Sequence, residues 1–180
     1  MRVLKLCKDG CGNKPAMYID GGIHAREWIA PAVVTYMINE LTENLSGQED
    51  LIDNLDWYFI ASANPDGYQY SLDSDRMWRK TRSYHEGDLC IGTDANRNWD
   101  WHFDDGGASD SSCSDSYHGP YAFSEIEDVN VRDFMLPLKG QIKFVDSIHS
   151  YSQLILIPWG YTTDPAPYFD DMFALATKVS

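Results

Sequence analysis

Apolar residues come in short runs along this chain, and stretches with helical spacing lie between the runs. The clearest runs cover residues 16–20, 57–61 and 142–148, and their length is typical of buried strands. Apolar side chains recur at helical spacing after the first run, over 29–41, and the helical pattern returns near 124–135 and 168–179. Strands that alternate with helices predict an α/β fold, in which the loops at the carboxyl ends of the strands hold ligands.

Weaker patterns complete the predicted outline. Residues 3–6 alternate like an edge strand, and the glycine-rich turn after them suggests a hairpin with strand 16–20. Residues 154–157 predict a fourth main strand, and residues 64–67 are dense in turn formers. The irregular segment 68–121 is long enough to indicate a functional region.

The overall charge excludes two classes of partner. The 180-residue chain has a formal net charge of −14 at pH 7, so we expect it to bind neither nucleic acid nor an anionic membrane, because both need cationic patches. No run of about 18 apolar residues is present to span a bilayer, and the first residues lack the length of a signal peptide. The hydrophobic content of 43% is enough for one sizeable core, which predicts one domain or part of one.

Four cysteines indicate an oxidising compartment and hence a secreted protein. Cys7 and Cys11 flank a tight turn, while Cys90 and Cys113 enclose a loop rich in Asp, Ser and Gly. An even number at two local spacings favours the disulfides Cys7–Cys11 and Cys90–Cys113. A zinc cluster of four thiolates is the alternative, and the absence of a CxxC pair disfavours it.

The strongest chemical pattern is GGIHAREW at 21–28, directly after the first strand. His24 and Glu27 lie three residues apart, so on a helical turn they share one face and can reach a single metal ion. His149 follows the strand 142–148 and can add a second nitrogen, which makes the two-histidine, one-carboxylate set of catalytic zinc sites. Taken singly, each has an ordinary alternative: a histidine satisfied by its surroundings, or a glutamate that complements the helix dipole.

Three other histidines and an acidic loop carry no predicted chemistry. His85, His102 and His118 lie in irregular segments without a carboxylate at useful spacing, so we interpret them as surface residues. The aspartate-rich loop 104–115 lacks the spacing of an EF-hand calcium loop. We therefore predict a solvated loop that the second disulfide closes.

Six blocks of sequence resemble the zinc metallocarboxypeptidases of the pancreatic and digestive type. They are GGIHAREWIAPA at 21–32, NPDGY at 64–68, RMWRKTRS at 76–83, CIGTDANRNW at 90–99, FSEIE at 123–127 and SIHSYSQLILIPWGY at 147–161. They follow the family's order and cover most of the chain. The resemblance implies a mixed, mostly parallel sheet with helices on both faces, in a single partial catalytic domain over 1–180 whose C-terminal part is absent.

The same resemblance implies a role for each matching site residue. His24, Glu27 and His149 would bind one Zn²⁺ ion, and Asp94 would accept a hydrogen bond from the far nitrogen of His24 and so fix its ring. Arg79 would polarise the scissile carbonyl and stabilise the oxyanion that forms there. Without the surrounding motifs, Asp94 would be interpreted as a loop residue and Arg79 as part of a solvated basic patch.

The substrate contacts implied by the resemblance define an exopeptidase. Asn96 and Arg97 would hold the terminal carboxylate of a peptide, since a guanidinium grips a carboxylate with two parallel bonds. Arg26, Ser150 and Tyr151 would line the substrate subsites. The implied protein is a secreted monomer that releases single residues from peptide and protein C-termini by zinc-promoted attack of water.

The chain also departs from the family pattern. The family's general base, a glutamate, its mobile tyrosine and the floor of its specificity pocket lie beyond the position of Ser180, and no propeptide precedes the domain. General acid–base help is typically worth ~10²- to 10⁴-fold in rate, so we expect the chain alone to be slow or inactive. The alternative function is a non-catalytic fragment that binds zinc and peptide C-termini. The preference for aliphatic, aromatic or basic C-terminal residues stays open.

Overall fold

Four strands form the centre of the molecule, whose computed structural model describes residues 1–179. They are β1 (Leu4–Leu6), β2 (Ala16–Gly21), β3 (Asp56–Ile60) and β4 (Ile142–Ile148), and they lie in the order β1-β3-β2-β4. β2 runs parallel to both of its neighbours, whereas β1 is antiparallel to β3. The predicted α/β fold with a mixed, mostly parallel sheet is therefore confirmed.

Helices and short 3₁₀ turns connect these strands. The helices are α1 (Ile29–Glu43), α2 (Asp50–Asp53), α3 (Pro65–Asp73), α4 (Ile126–Met135) and α5 (Phe169–Val179), with 3₁₀ turns at Ala95–Arg97 and Leu136–Leu138. α1, α4 and α5 lie where the apolar spacing predicts them. Among residues 1–179, no helix has both the length and the apolar character needed to cross a bilayer.

The core has two halves, one on each face of the sheet. Successive strand residues point to opposite faces. Ile19 therefore packs in one buried cluster with Val34 of α1, while Tyr18 belongs to the cluster that contains Val131 of α4. The ring of Phe134 extends the second cluster, with its centroid 6.5 Å from that of Tyr18. Helices thus cover both faces, as expected.

The carboxyl ends of β2 and β4 lie side by side, and this determines where the candidate functional site lies. Gly21 pairs with Ile148 in the parallel register, so the loops that leave the two strands start next to each other. A Cβ atom on Gly21 would lie 3.0 Å from the carbonyl of Ala30 and from the side chain of Val34. A side chain at position 21 would therefore crowd the start of α1, which lies close to the end of the strand.

The predicted hairpin between residues 3–6 and 16–20 is wrong. β1 pairs with β3 instead, with Leu4 opposite Phe59. The reason is that β2 is buried and both of its edges are taken by parallel strands. β1 therefore cannot pair with β2, and it joins the sheet at the edge of β3 that β2 leaves free.

The predicted strand at 154–157 is also absent. This segment has no regular secondary structure, and Leu154 and Leu156 are exposed. An apolar run alone does not make a strand, because a strand also needs a partner that completes its hydrogen bonds.

The turn predicted at 64–67 begins a helix that the sequence pattern did not reveal. The side chain of Asn64 accepts a hydrogen bond from the Gly67 amide, and Pro65 takes the first position of α3. Asparagine and proline favour helix starts as strongly as they favour turns. Composition alone could not separate the two outcomes.

Both expected disulfides form. Cys7 bonds to Cys11 across the turn after β1, and Cys90 bonds to Cys113 across 23 positions of the irregular segment. The thiolate cluster considered as the alternative is excluded, because all four sulfurs are used.

Candidate metal centre

Three side chains converge at the ends of β2 and β4. His24 Nδ1 lies 2.8 Å from Oε1 of Glu27, and His149 Nδ1 lies 2.9 Å from Oε2 of the same carboxylate. The two Nδ1 atoms are 3.1 Å apart. His24 and Glu27 are buried, while the side chain of His149 keeps 31% of its surface exposed. Two imidazole nitrogens and a carboxylate thus face one point, with one side open to solvent.

The turn before α1 sets the geometry of the first two groups. The amide of Glu27 donates to the carbonyl of His24, and the amide of Ala30 donates to the carbonyl of Glu27, so the pair lies on a tight turn rather than on the helix itself. The amide of Ala25 also donates to the carbonyl of Arg79. The segment around Arg79 therefore supports the turn from outside.

Asp94 links His24 to Arg79. Its Oδ1 lies 3.0 Å from His24 Nε2, and its Oδ2 accepts from Nε and Nη2 of Arg79 at 3.1 and 2.9 Å. Asp94 is fully buried and also accepts the Asn96 amide. When the ring is neutral and its Nε2–H donates to this carboxylate, the Nδ1 lone pair faces Glu27 and His149.

A second relay orients His149. Its Nε2 lies 3.4 Å from the hydroxyl of Ser147, and that hydroxyl donates to Asp20 at 2.6 Å. Since the hydroxyl donates its proton to the hydrogen bond with Asp20, the serine oxygen can accept a hydrogen bond from Nε2–H of His149, which leaves the lone pair of the neutral ring on Nδ1. No sequence motif predicts this relay. The one available signal was that Asp20 and Ser147 are polar residues inside otherwise apolar strands.

Burial and hydrogen bonding compete in the electrostatics of the centre. Burial by itself raises the pKa of Glu27, but the hydrogen bonds with His149 and His24 lower it more, and the pKa falls to about 2. Burial lowers the pKa of His24, and the hydrogen bonds with Asp94 and Glu27 raise it further than burial lowers it. The pKa of Asp94 is lowered for the corresponding reason, since contacts with His24 and Arg79 outweigh burial. The carboxylates therefore stay ionised and attract positive charge.

Arg79 lies beside the converging ligands. Its Nη1 is 3.7 Å from Oε1 of Glu27, and only 16% of its side chain is exposed. The Nε and Nη2 groups are bound to Asp94, so the guanidinium is held in one orientation. Its free edge contributes fixed positive charge close to the point where the three ligands meet.

Asn96 and Arg97 lie on the 3₁₀ turn that follows Asp94. Arg97 donates from Nε to the carbonyl of Gly107 at 2.9 Å and from Nη1 to the carbonyl of Asn96 at 2.8 Å. Asn96 is exposed and Arg97 is half-buried. Within residues 1–179, Arg97 forms no ion pair with a carboxylate, so its charge remains available for an anion.

The three remaining predicted residues lie at different distances from the centre. The amide of Ser150 donates to Oε2 of Glu27 at 3.2 Å. Arg26 instead donates to the carbonyl of Met77 and to Asp115, and Tyr151 is 95% exposed. The structure brings Ser150 to Glu27, but it leaves Arg26 and Tyr151 at the surface.

The prediction that the other histidines have no carboxylate at useful spacing is wrong for His102, whose partner is three residues away, and all three histidines have carboxylate partners. His85 Nε2 lies 2.8 Å from the buried carboxylate of Glu125, His102 pairs with Asp105, and His118 pairs with Asp110. His118 is buried and is not a surface residue. Glu125 lies 40 positions from His85, so no local spacing could reveal that partner.

The chain is similar in sequence to known proteins along its whole length. The family model described as zinc carboxypeptidase matches residues 1–180. Carboxypeptidase B of Astacus astacus is 51% identical over 179 residues, which cover 99% of this chain and 59% of that protein. Carboxypeptidase A1 of Mus musculus is 45% identical over 180 residues, which cover 98% of this chain and 42% of that protein. The chain thus spans about half the length of these relatives.

A solved structure shows the same fold. The crystal structure of thrombin activatable fibrinolysis inhibitor superposes with a TM-score of 0.92 at 42% sequence identity, and the match covers 98% of this chain and 45% of that protein. The strands and loops that carry the converging histidines and the glutamate therefore have counterparts in known proteins.

Proposed function

We propose a function that starts from one fact: this chain belongs to the zinc carboxypeptidase family. From this premise we infer a zinc-dependent exopeptidase that releases single residues from the C-termini of peptides and proteins. The observation that carries the proposal is the convergence of His24 Nδ1, His149 Nδ1 and the Glu27 carboxylate on one point.

The donor set fits one Zn²⁺ ion. Two neutral imidazoles and a carboxylate with an open side are the ligands of catalytic zinc sites. Asp94 and Ser147 orient the two rings so that both Nδ1 lone pairs face the same point, and the solvent-exposed side of His149 leaves access for water and substrate. When bound, zinc would lower the pKa of a water molecule and polarise the substrate carbonyl.

Arg79 is the proposed electrostatic group. A buried guanidinium fixed by Asp94 needs no reorganisation when negative charge develops on a substrate oxygen nearby. Its Nη1 remains directed towards the metal ligands, 3.7 Å from Glu27. We propose that it stabilises the oxyanion formed when water adds to the scissile carbonyl.

Arg97 and Asn96 are the proposed recognition pair for a free C-terminus. Arg97 is held by backbone carbonyls and not by a carboxylate, so its guanidinium can still form charge-assisted hydrogen bonds to a substrate carboxylate. Asn96 is exposed next to it and can add a further donor. Arg26, Ser150 and Tyr151 are proposed to line the subsites further along the peptide. The two disulfides support secretion of the protein.

One experiment separates the exopeptidase from the alternative of a protein that only binds zinc and peptide C-termini. The full-length protein is loaded with zinc and incubated with a peptide and with its C-terminally amidated analogue. We expect stepwise release of C-terminal residues from the free peptide only, and loss of one zinc ion per chain in Glu27→Gln. Binding of the free peptide without cleavage would favour the binder, and full zinc in Glu27→Gln would refute the ligand assignment.

A further inference from the structure

A second group of candidate ligands lies on the loop closed by Cys90 and Cys113. His118 Nε2 is 2.8 Å from Oδ1 of Asp110 and 3.4 Å from Oδ1 of Asp104. One ligand atom from each residue lies within 4.8 Å of the other two. None of the three belongs to the zinc site proposed above.

The hydrogen bonding of His118 defines what its Nε2 can do. His118 is 7% exposed, and its Nδ1 lies 2.6 Å from the carbonyl oxygen of Gly119. A carbonyl only accepts, so Nδ1 carries a proton, and the lone pair of the neutral form of the ring is on Nε2. That lone pair faces two carboxylates that also only accept when ionised. The contact is favourable only if a proton or a cation lies between them.

This arrangement is the one that metal-binding histidines use. A backbone carbonyl that holds one ring N–H fixes the tautomer and presents the other nitrogen to the ion. The buried ring is rigid, since Phe103 packs edge-on against it with ring centroids 4.8 Å apart. The carboxylates of Asp104 and Asp110 are 59% and 89% exposed, so they can adjust around an ion and leave room for water.

We propose that Asp104, Asp110 and His118 form a second site for a divalent cation, of which Zn²⁺ is the best match. One imidazole nitrogen and two carboxylate oxygens suit zinc better than calcium or magnesium, which prefer oxygen ligands alone. The site is distinct in kind from the first, because two of its three ligands are at the surface. Its zinc therefore exchanges more readily than zinc held by His24 and Glu27.

The ion would hold a short piece of chain that contacts Arg97. Asp104 and Asp110 lie on either side of Gly107, whose carbonyl accepts from Arg97 Nε at 2.9 Å. An isolated β-bridge between Ser109 and Tyr117 already holds the C-terminal end of this piece of chain, since the His118 amide donates to the carbonyl of Ser109. A cation between the three ligands would close the segment 104–110 against this bridge.

Equilibrium dialysis of the full-length protein against Zn²⁺, followed by metal analysis, tests the site. We expect about two zinc ions per chain in the wild type and about one in His118→Asn and in Asp110→Asn. Asparagine at 118 can keep the donor to Gly119 while it removes Nε2, and Asp110 is too exposed for its replacement to unfold the protein. Loss of even an outer partner typically costs about 10- to 100-fold in metal affinity, so loss of Nε2 should weaken the second site at least as much.

Two controls make the outcome decisive. Asp105→Asn lies on the same loop but pairs with His102, so this variant should keep both ions. Glu27→Gln should lose the ion of the first site and keep the ion of the second site. Addition of His118→Asn to this variant should remove the second ion as well. Failure of the second-site proposal can thus be distinguished from failure of the proposed function. A wild type that binds only one zinc, or a His118→Asn variant that still binds two, would overturn the second site and leave a proton as the bridge.

Discussion

Oδ1 of Asp94 lies 3.0 Å from Nε2 of His24, in a contact that excludes solvent on both sides. The carboxylate fixes the ring and strengthens Nδ1 as a ligand. We expect Asp94→Asn to lower zinc affinity about 10- to 100-fold, because an amide cannot replace the charge. Competition with a chelator measures the change. Asp100→Asn, a substitution of an exposed aspartate nearby, should leave the affinity unchanged, and an equal loss in both variants would contradict the role of Asp94.

Arg79 is expected to act on the transition state more than on substrate binding. Arg79→Lys keeps one positive charge but cannot hold Asp94 with two donors and also face Glu27. Removal of one preorganised donor costs about 10²–10³ in kcat, with little change in KM. Zinc content must be measured in parallel, because Asp94 also orients His24. Arg82→Lys is the matched control, since Arg82 stacks on Tyr70 and Trp78 and contacts neither carboxylate.

Arg97→Lys tests recognition of the free C-terminus. A lysine is a point charge and cannot grip a carboxylate with two parallel bonds. A charge-assisted hydrogen bond is worth about 1.5–3 kcal/mol, so kcat/KM for a free peptide should fall by about 10- to 100-fold. Arg132→Lys, on the surface of α4 beside Asp133, should have no effect. Unchanged kinetics in Arg97→Lys would remove this residue from the recognition pair.

Asp128 makes stability depend on pH. Burial, reinforced by the charges of Glu125 and Glu127, raises its pKa to about 9. Its ordinary value in the unfolded chain is 3.8, so between these values the native state binds the extra proton and the free energy of unfolding falls as pH rises. Oδ2 also has no hydrogen-bond partner among residues 1–179.

The neutral variant Asp128→Asn should remove this pH dependence. We expect it to be more stable than the wild type at pH 7 by on the order of a few kcal/mol, with the difference vanishing below about pH 4. Urea unfolding at several pH values measures it. Asp133→Asn, an exposed position on the same helix, should follow the wild-type curve. A parallel curve for Asp128→Asn would show that Asp128 is ionised in the native state.

Local sequence patterns were sufficient to predict those helices and strands whose formation does not depend on which other element they pair with. The apolar run at 142–148 predicted the bounds of β4, although none of the residues of this strand is fully buried. The spacing of apolar residues predicted α1 closely, because burial of one helix face is a property of the segment itself. It failed for β1, whose partner is decided by the free edges left in the sheet. It also failed at 154–157, where an apolar run has no strand beside it.

The same division applies to the site. The sequence motifs resemble those of the family in residue type and in order. This resemblance identified the blocks that carry His24, Glu27, Asp94 and His149. Contacts across the chain, such as those of Ser147 with Asp20 and of His118 with Asp110 and Asp104, could not be inferred from spacing. Each depends on which loops the sheet brings together.

By itself, the sequence determined which residues could bind a metal and which family the chain resembles, since both are matters of chemical type and order. Only the tertiary structure decided that His24 and His149, 125 positions apart, direct their Nδ1 atoms to one point. The physical reason is the parallel pairing of β2 with β4, which sets Gly21 beside Ile148 and so starts the two ligand loops at the same edge of the sheet.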